Sequence, residues 1–231
     1  MKLPISRRLL SCCDYVNQND RVADVGCDHG YLSIYLLTQG IARSAIASDV
    51  NEQPLLSAVR NAEKFGVRDR MEFYLSDGLR NIPRDFNCIV CAGMGADTMI
   101  SILEAAPWLK SAQYRLILQC QSRRPELRRY LSKQGFAIRR ETLVKEGKFL
   151  YPIMEVVYGP GSILTDAQCH ISPALLASGS VLLPEFYQRV TDGLRTTVMG
   201  LSRSGGEKYE EYAAILAELK ELEGSIHGND C

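Results

Sequence analysis

Val22-Ala23-Asp24-Val25-Gly26-Cys27-Asp28-His29-Gly30-Tyr31-Leu32 decides how the rest of the chain is read. Arg21 to Cys27 is a short apolar run closed by glycine, the pattern of a buried strand. From Tyr31 to about Gln39 the apolar residues continue too long for a strand and read as a helix. Gly26 and Gly30 bracket the turn between the two, where a residue without a Cβ lets the backbone bend tightly and approach a ligand. Strand, glycine turn and helix together form the opening unit of a parallel sheet with helical crossovers.

The same alternation extends in both directions. Leu3 to Val16 has a helical apolar pattern. Downstream, strands are expected at Ser44–Val50, Met71–Leu75, Asn87–Ala92 and Tyr114–Cys120. Helices are expected from Glu52 to Phe65, closed by Gly66, from Gly95 to about Ala105, and from Pro125 to Lys133, closed by Gly135. Phe136–Arg140 and Tyr151–Tyr158 follow with no helix between them and Glu146-Gly147-Lys148 as a turn, so they should pair antiparallel at one edge. The fold class is therefore α/β, a mostly parallel Rossmann-like sheet covered on both faces.

After Gly159-Pro160-Gly161 only helical patterns remain, near Ser172–Ser178, from Pro184 to Leu201 and from Glu207 to Glu223. Phe186, Val190, Leu194, Thr197 and Leu201 recur at helical spacing, as do Tyr212, Ile215, Leu219 and Leu222. With Ser202-Arg203-Ser204-Gly205-Gly206 as the connection, this is an antiparallel helical hairpin with a coiled-coil-like seam. The expected division is a sheet domain over residues 1–160 and a helical domain over residues 161–231.

Of the 231 residues, 46% are hydrophobic and 23% charged, which excludes disorder and fibrous order. No apolar run reaches the roughly 18 residues a membrane span needs, and no apolar segment follows the basic start as in a signal peptide. A cytoplasmic protein is expected. The eight cysteines have no framework spacing. Cys88 and Cys91 form a C-x-x-C, but on a strand they point to opposite faces and cannot share a metal; they read as small core residues, and no metal is expected. The net charge of zero conceals an asymmetry: 22 basic against 17 acidic residues through position 160, and 5 against 10 beyond it. Arg123, Arg124, Arg128, Arg129 and the lysines and arginines up to Lys148 make a dense basic segment, a candidate anion-binding surface.

Ligands of an open parallel sheet bind beyond the carboxyl ends of its strands. Four such ends carry polar residues or glycine here: Asp24 to Gly30, Asp49, Asp77-Gly78 and Gly93-Met94-Gly95. Asp49 is placed to accept both hydroxyls of a ribose, and Asp77 to meet an adenine amino group. The dinucleotide pattern G-x-G-x-x-G is absent, because Asp28 stands where its second glycine would seat a pyrophosphate. A carboxylate there repels phosphate and suits a ligand with an ammonium. S-adenosylmethionine (SAM) has ribose, adenine, ammonium and sulfonium and no phosphate, so it is favoured over NAD.

The stretch Val22 to Leu32 resembles the first motif of the bacterial tRNA (adenine-N1)-methyltransferases that act on position 22. The resemblance continues through Ser6-Arg7-Arg8-Leu9, Ala92-Gly93-Met94-Gly95, Leu116-Ile117-Leu118-Gln119 and the helical tail. It implies a class I SAM-dependent fold with a C-terminal coiled coil, with SAM as methyl donor and tRNA as partner. It places Asp24, Gly26, Asp28, His29, Gly30, Asp49, Asp77, Gly78 and Gly93 around the cofactor, and Asp28, Gly93 and Met94 at the transfer site. Arg8, Arg123, Arg124, Arg128 and Arg129 are the expected RNA contacts. Two departures concern the target base: Ala96 replaces a glycine of the family pattern, and Cys120-Gln121 replaces Pro-Asn. A methyltransferase for a small molecule, and a binding module without catalysis, are the alternative readings.

Overall fold

The computed structural model describes residues 3–203 and 205–227. Seven strands, β1 (Asp20–Val25), β2 (Ala42–Asp49), β3 (Met71–Leu75), β4 (Cys88–Met94), β5 (Arg115–Cys120), β6 (Phe136–Glu146) and β7 (Phe149–Tyr158), form one sheet in the order β3-β2-β1-β4-β5-β7-β6. The first five are parallel, and β7 runs antiparallel to both of its neighbours. The antiparallel pair at the edge follows from the absence of a crossover helix after β6. Chain order reverses between β1 and β4, so the crevice a ligand can enter opens beside the stretch quoted at the start.

Helices α1 (Arg7–Cys13), α2 (Tyr31–Thr38), α3 (Glu52–Lys64), α4 (Ala96–Glu104) and α5 (Arg124–Lys133) cover the sheet. Two cores result, one on each face. Val22 and Cys88 lie in one, Ala23 and Cys91 in the other, so the two cysteines are separated by the sheet itself. The seven described cysteines are free and buried. Helix α1 is shorter than the apolar pattern from Leu3 to Val16, because Ser6 caps it, its hydroxyl accepting from the Leu9 N–H at 3.3 Å.

β6 runs six residues past the expected Phe136–Arg140 and β7 begins two residues before the expected Tyr151–Tyr158, the two meeting at the expected Gly147 turn. Beyond the sheet they bury Leu143 and Leu150 in a third core built from the tail. The tail consists of α6 (Asp166–His170), α7 (Pro173–Leu176), α8 (Leu183–Leu201), α9 (Glu207–Glu221) and α10 (Glu223–His227). Tyr187 and Thr191 of α8 are buried beside Phe186 and Leu194, a wider face than the expected seam, because α8 packs on α10 as well as on α9, with the Tyr187 hydroxyl donating to the Leu219 carbonyl at 3.2 Å. Of the expected connection between α8 and α9, Ser204 lies outside the described residues. Among the described residues no helix is long and apolar enough to cross a membrane.

Candidate active site at the carboxyl ends of the central strands

The turn after β1 is held by its own backbone. Gly26 and Cys27 both donate to the Ser48 carbonyl at 2.8 and 2.9 Å, tying the turn to β2. Gly26 sits at φ +71°, and a Cβ there would lie 2.3 Å from Met94 Cε, so glycine is what allows Met94 to close over the turn. Asp28 also lies in the left-handed region, at φ +50°, an unusual conformation for a residue with a side chain. Its N–H donates to Asp49 Oδ2 at 3.1 Å, while its carboxylate stays exposed, 3.5 Å from His29 Nε2.

The three strand-end aspartates are held differently. Asp24 is buried and accepts from the Ser33 hydroxyl at 2.8 Å. Burial, partly offset by Ser33, pushes its pKa up to about 6. Asp49 is buried too, its Oδ1 taking the Asn51 N–H at 2.9 Å and its Oδ2 that of Asp28. Two backbone donors fix the plane of this carboxylate and leave further lone pairs for a ligand. The Ser76 N–H donates to the Asp49 carbonyl at 2.9 Å, which brings the end of β3 alongside. Asp77, just beyond, is exposed and paired with Arg80 at 3.1 Å.

At the end of β4 the ladder with β5 shifts between Ala92 and Met94. Gly93, at φ +90°, is the extra residue of this bulge, a device that redirects the following side chain. Its N–H donates to Gln119 Oε1 at 3.0 Å, and the same oxygen accepts from the Arg8 guanidinium. Gln119 is fully buried, so one amide oxygen joins the bulge to α1. A Cβ on Gly93 would approach Arg8 to 3.2 Å. The Met94 carbonyl accepts from the Gln121 N–H at 2.8 Å.

These residues surround one open cavity of about 250 Å³. Of the expected cofactor and transfer residues, Asp24, Gly26, Asp28, Gly93 and Met94 line it, and Arg8 and Gln121 join them. Asp49 is linked to it through the Asp28 backbone. Gly30 and Gly78 face elsewhere: a Cβ on Gly30 would meet Ala58 at 2.9 Å, and one on Gly78 would meet Ile102 at 2.8 Å. Both glycines serve close packing of elements under the site. His29 is half exposed and stands against the Tyr31 ring at 5.8 Å. Gln121 is visible in the sequence only as a departure from the family pattern, and its place after the polar end of β5 is the signal for it.

The basic segment does not form the expected surface. Arg128 is completely buried, paired with Glu141 and donating to the Cys169 carbonyl at 3.0 Å, so it is out of reach of phosphate. Glu141 also accepts from the Ser172 hydroxyl, which closes a network between α5, β6 and α7. Arg129 pairs with Asp166 at 2.7 Å, and Arg123 with Asp97 at 2.7 Å. Arg124 is half-buried, donating to the Leu150 carbonyl at 3.1 Å with its guanidinium over Phe186, and faces the cleft beside the hairpin rather than the α5 surface. The density of arginine on α5 reflects a helix clamped between sheet and tail, and most of it fastens the tail.

Residues 5–154 match a family model described as a methyltransferase domain. The chain belongs to the methyltransferase-domain family. This methyltransferase is 32% identical over 154 residues to the tRNA (adenine(22)-N(1))-methyltransferase of Bacillus subtilis; the match spans 66% of this chain and 65% of that one. A Streptococcus pneumoniae structure, that of a candidate tRNA (m1A22) methyltransferase in complex with SAM, superposes with a TM-score of 0.81 at 31% identity, covering 96% of this chain and 100% of that one. The structure of the Bacillus subtilis tRNA methyltransferase for m1A22 superposes with a TM-score of 0.79 at 26% identity, covering 98% and 99%. The methyltransferase therefore shares with these structures both the sheet and the helical tail.

Proposed function

We propose that this protein transfers the methyl group of SAM to N1 of adenine 22 in tRNA. The observation that carries the reading is the cavity where Asp24 and Asp28 of the first turn face the bulge at Gly93 and Met94. Relatives that share this architecture bear the same activity in their names.

The residues present fit SAM. Gly26 and Gly93 line the cavity with bare backbone, and the donor set is mixed, with Arg8 for a carboxylate and Asp24 and Asp28 for an ammonium. Asp49 takes the ribose hydroxyls, with Asp77 beside it for the adenine. Bound SAM supplies an electrophilic methyl group on a sulfonium. The chain must then hold the target adenine so that its N1 lone pair lies in line with that methyl. N1 is unprotonated at neutral pH, so no general base is required. Positive charge moves to the base as the bond forms, and the exposed carboxylate of Asp28 stabilises it.

Base selection falls to Gln121. The Gln121 side chain lines the cavity beside Met94, and its amide oxygen has the chemistry to accept from the adenine N6 amino group. N1 belongs to the Watson–Crick edge, and a paired target must be unpaired or flipped before it enters. Residues 1–160 form the catalytic unit in this reading, and residues 161–231 an accessory helical unit packed on the β6–β7 hairpin. A cytoplasmic setting accords with free, buried cysteines and a tRNA substrate.

Incubating the purified protein with SAM and tRNA, followed by nucleoside mass spectrometry, tests the proposal. Formation of N1-methyladenosine supports it. Its absence, with SAM bound and tRNA intact, rejects it.

A further inference from the structure

A second cleft, of about 190 Å³, opens between the β6–β7 hairpin and α8. Gln121 lines both this cleft and the active-site cavity, so the two lie side by side with one side chain between them. Phe149 and Tyr151 stand on one face of β7, two residues apart, with ring centroids 6.0 Å from each other. Phe149 is 53% exposed, unusual for a phenylalanine, although Leu150 between them is buried in the tail core. Lys148 Nζ lies 5.4 Å from the Phe149 ring, and the Arg8 guanidinium 5.9 Å from the Tyr151 ring. Arg124 and Arg189 also line the cleft, donating to the hairpin's Leu150 and Lys148 carbonyls at 3.1 and 2.5 Å, and no carboxylate lines it. Glu185 is the acidic neighbour, and it is occupied by Lys145 and Arg189 at 2.8 and 2.6 Å.

An exposed and a half-buried ring framed by cationic side chains, beside a site that acts on a base, have the chemistry of a single-stranded nucleotide platform. We propose that the cleft holds the nucleotide next to the target adenine, its base stacked on Phe149 and Tyr151 and its phosphate between Arg124 and Arg189. The proposal rests on the tRNA methyltransferase reading and adds to it where the flanking RNA goes. Extracting the target from its stack strips its neighbour of a stacking partner, and the two rings replace that partner. The charge is complementary, and Gln121, common to both linings, sets the cleft directly beside the transfer cavity.

The test is a cycle between protein and RNA. The protein is the parent chain, Phe149→Ala or Phe149→Trp; the RNA is intact tRNA or tRNA with an abasic residue on the 5′ or the 3′ side of the target. The exposed position of Phe149 makes all three proteins foldable, which melting temperature and SAM affinity verify. Phe149→Ala is expected to lower kcat/KM on intact tRNA about tenfold or more, and Phe149→Trp to retain activity. One of the abasic tRNAs should slow the parent by a similar factor and slow Phe149→Ala no further. Parent-like turnover by Phe149→Ala, or additive losses with both abasic tRNAs, overturns the proposal while leaving the methyltransferase reading intact. Failure of the parent to methylate intact tRNA overturns both.

Discussion

Asp49 and Asp24 end adjacent strands, and their surroundings give them different tasks. Asp49 is oriented by two backbone N–H groups and presents its remaining lone pairs to a ribose. Asp49→Ala is expected to lower SAM affinity about a hundredfold or more, since each hydrogen bond to a charged group contributes about 1.5–3 kcal/mol. Calorimetric titration reads this directly, and an unchanged affinity in the folded variant would reject the ribose assignment. Asp24 is buried with one hydroxyl donor, and its pKa rises from 3.8 to about 6. The folded chain therefore keeps a proton that the unfolded chain releases. The resulting loss of stability is absent below about 3.8, grows through the interval and is complete above about 6. A ligand ammonium favours the ionised form, so SAM should bind more tightly as pH rises through about 6. Asp24→Asn should flatten that rise in titrations from about pH 5 to 7. A profile identical to the parent's would show that Asp24 does not meet the ammonium.

At the scale of elements, the first five strands and the glycine turn were legible because each depends on local pattern: a short apolar run, then glycine or aspartate. The bulge at Gly93 was legible as a glycine pair and illegible as geometry, since it takes Gln119 of the next strand to hold it. The arginines of α5 and the length of β6 were misread for one shared reason. Glu141 interrupts the apolar pattern of β6, and Arg128 looks solvated on α5; in the structure they are each other's partners under the tail. That pairing joins positions 13 residues apart, and the tail that covers it is drawn from still later in the chain. Removing one member strands the other as an uncompensated buried charge. Arg128→Ala is accordingly expected to cost about 3–5 kcal/mol in urea unfolding, with SAM affinity retained under native conditions. Parent-like stability combined with weakened tRNA binding would restore Arg128 to the RNA surface and contradict its burial.

For the whole molecule, the tail is part of the catalytic unit's packing. Leu143 and Leu150 of the hairpin share a core with Ile171, Phe186 and Leu219, and Arg124, Arg128 and Arg129 all reach toward the tail or the hairpin it covers. The chain truncated to residues 1–160 should therefore melt well below the full-length protein in circular dichroism, and an equal melting temperature would contradict this coupling. The acidic surplus of α9, with Glu207, Glu210, Glu211, Glu218 and Glu221, makes that helix an unfavourable surface for phosphate. In the proposed reading, the cavity between the β1 turn and the Gly93 bulge methylates N1 of adenine 22. The most direct measurement is primer extension on tRNA incubated with SAM and the protein, comparing transcripts with adenine or guanine at position 22. A block at position 22 that requires adenine there, and that disappears with Asp49→Ala, is the predicted result. Methylation at another position, or equal blocks with both transcripts, would contradict it.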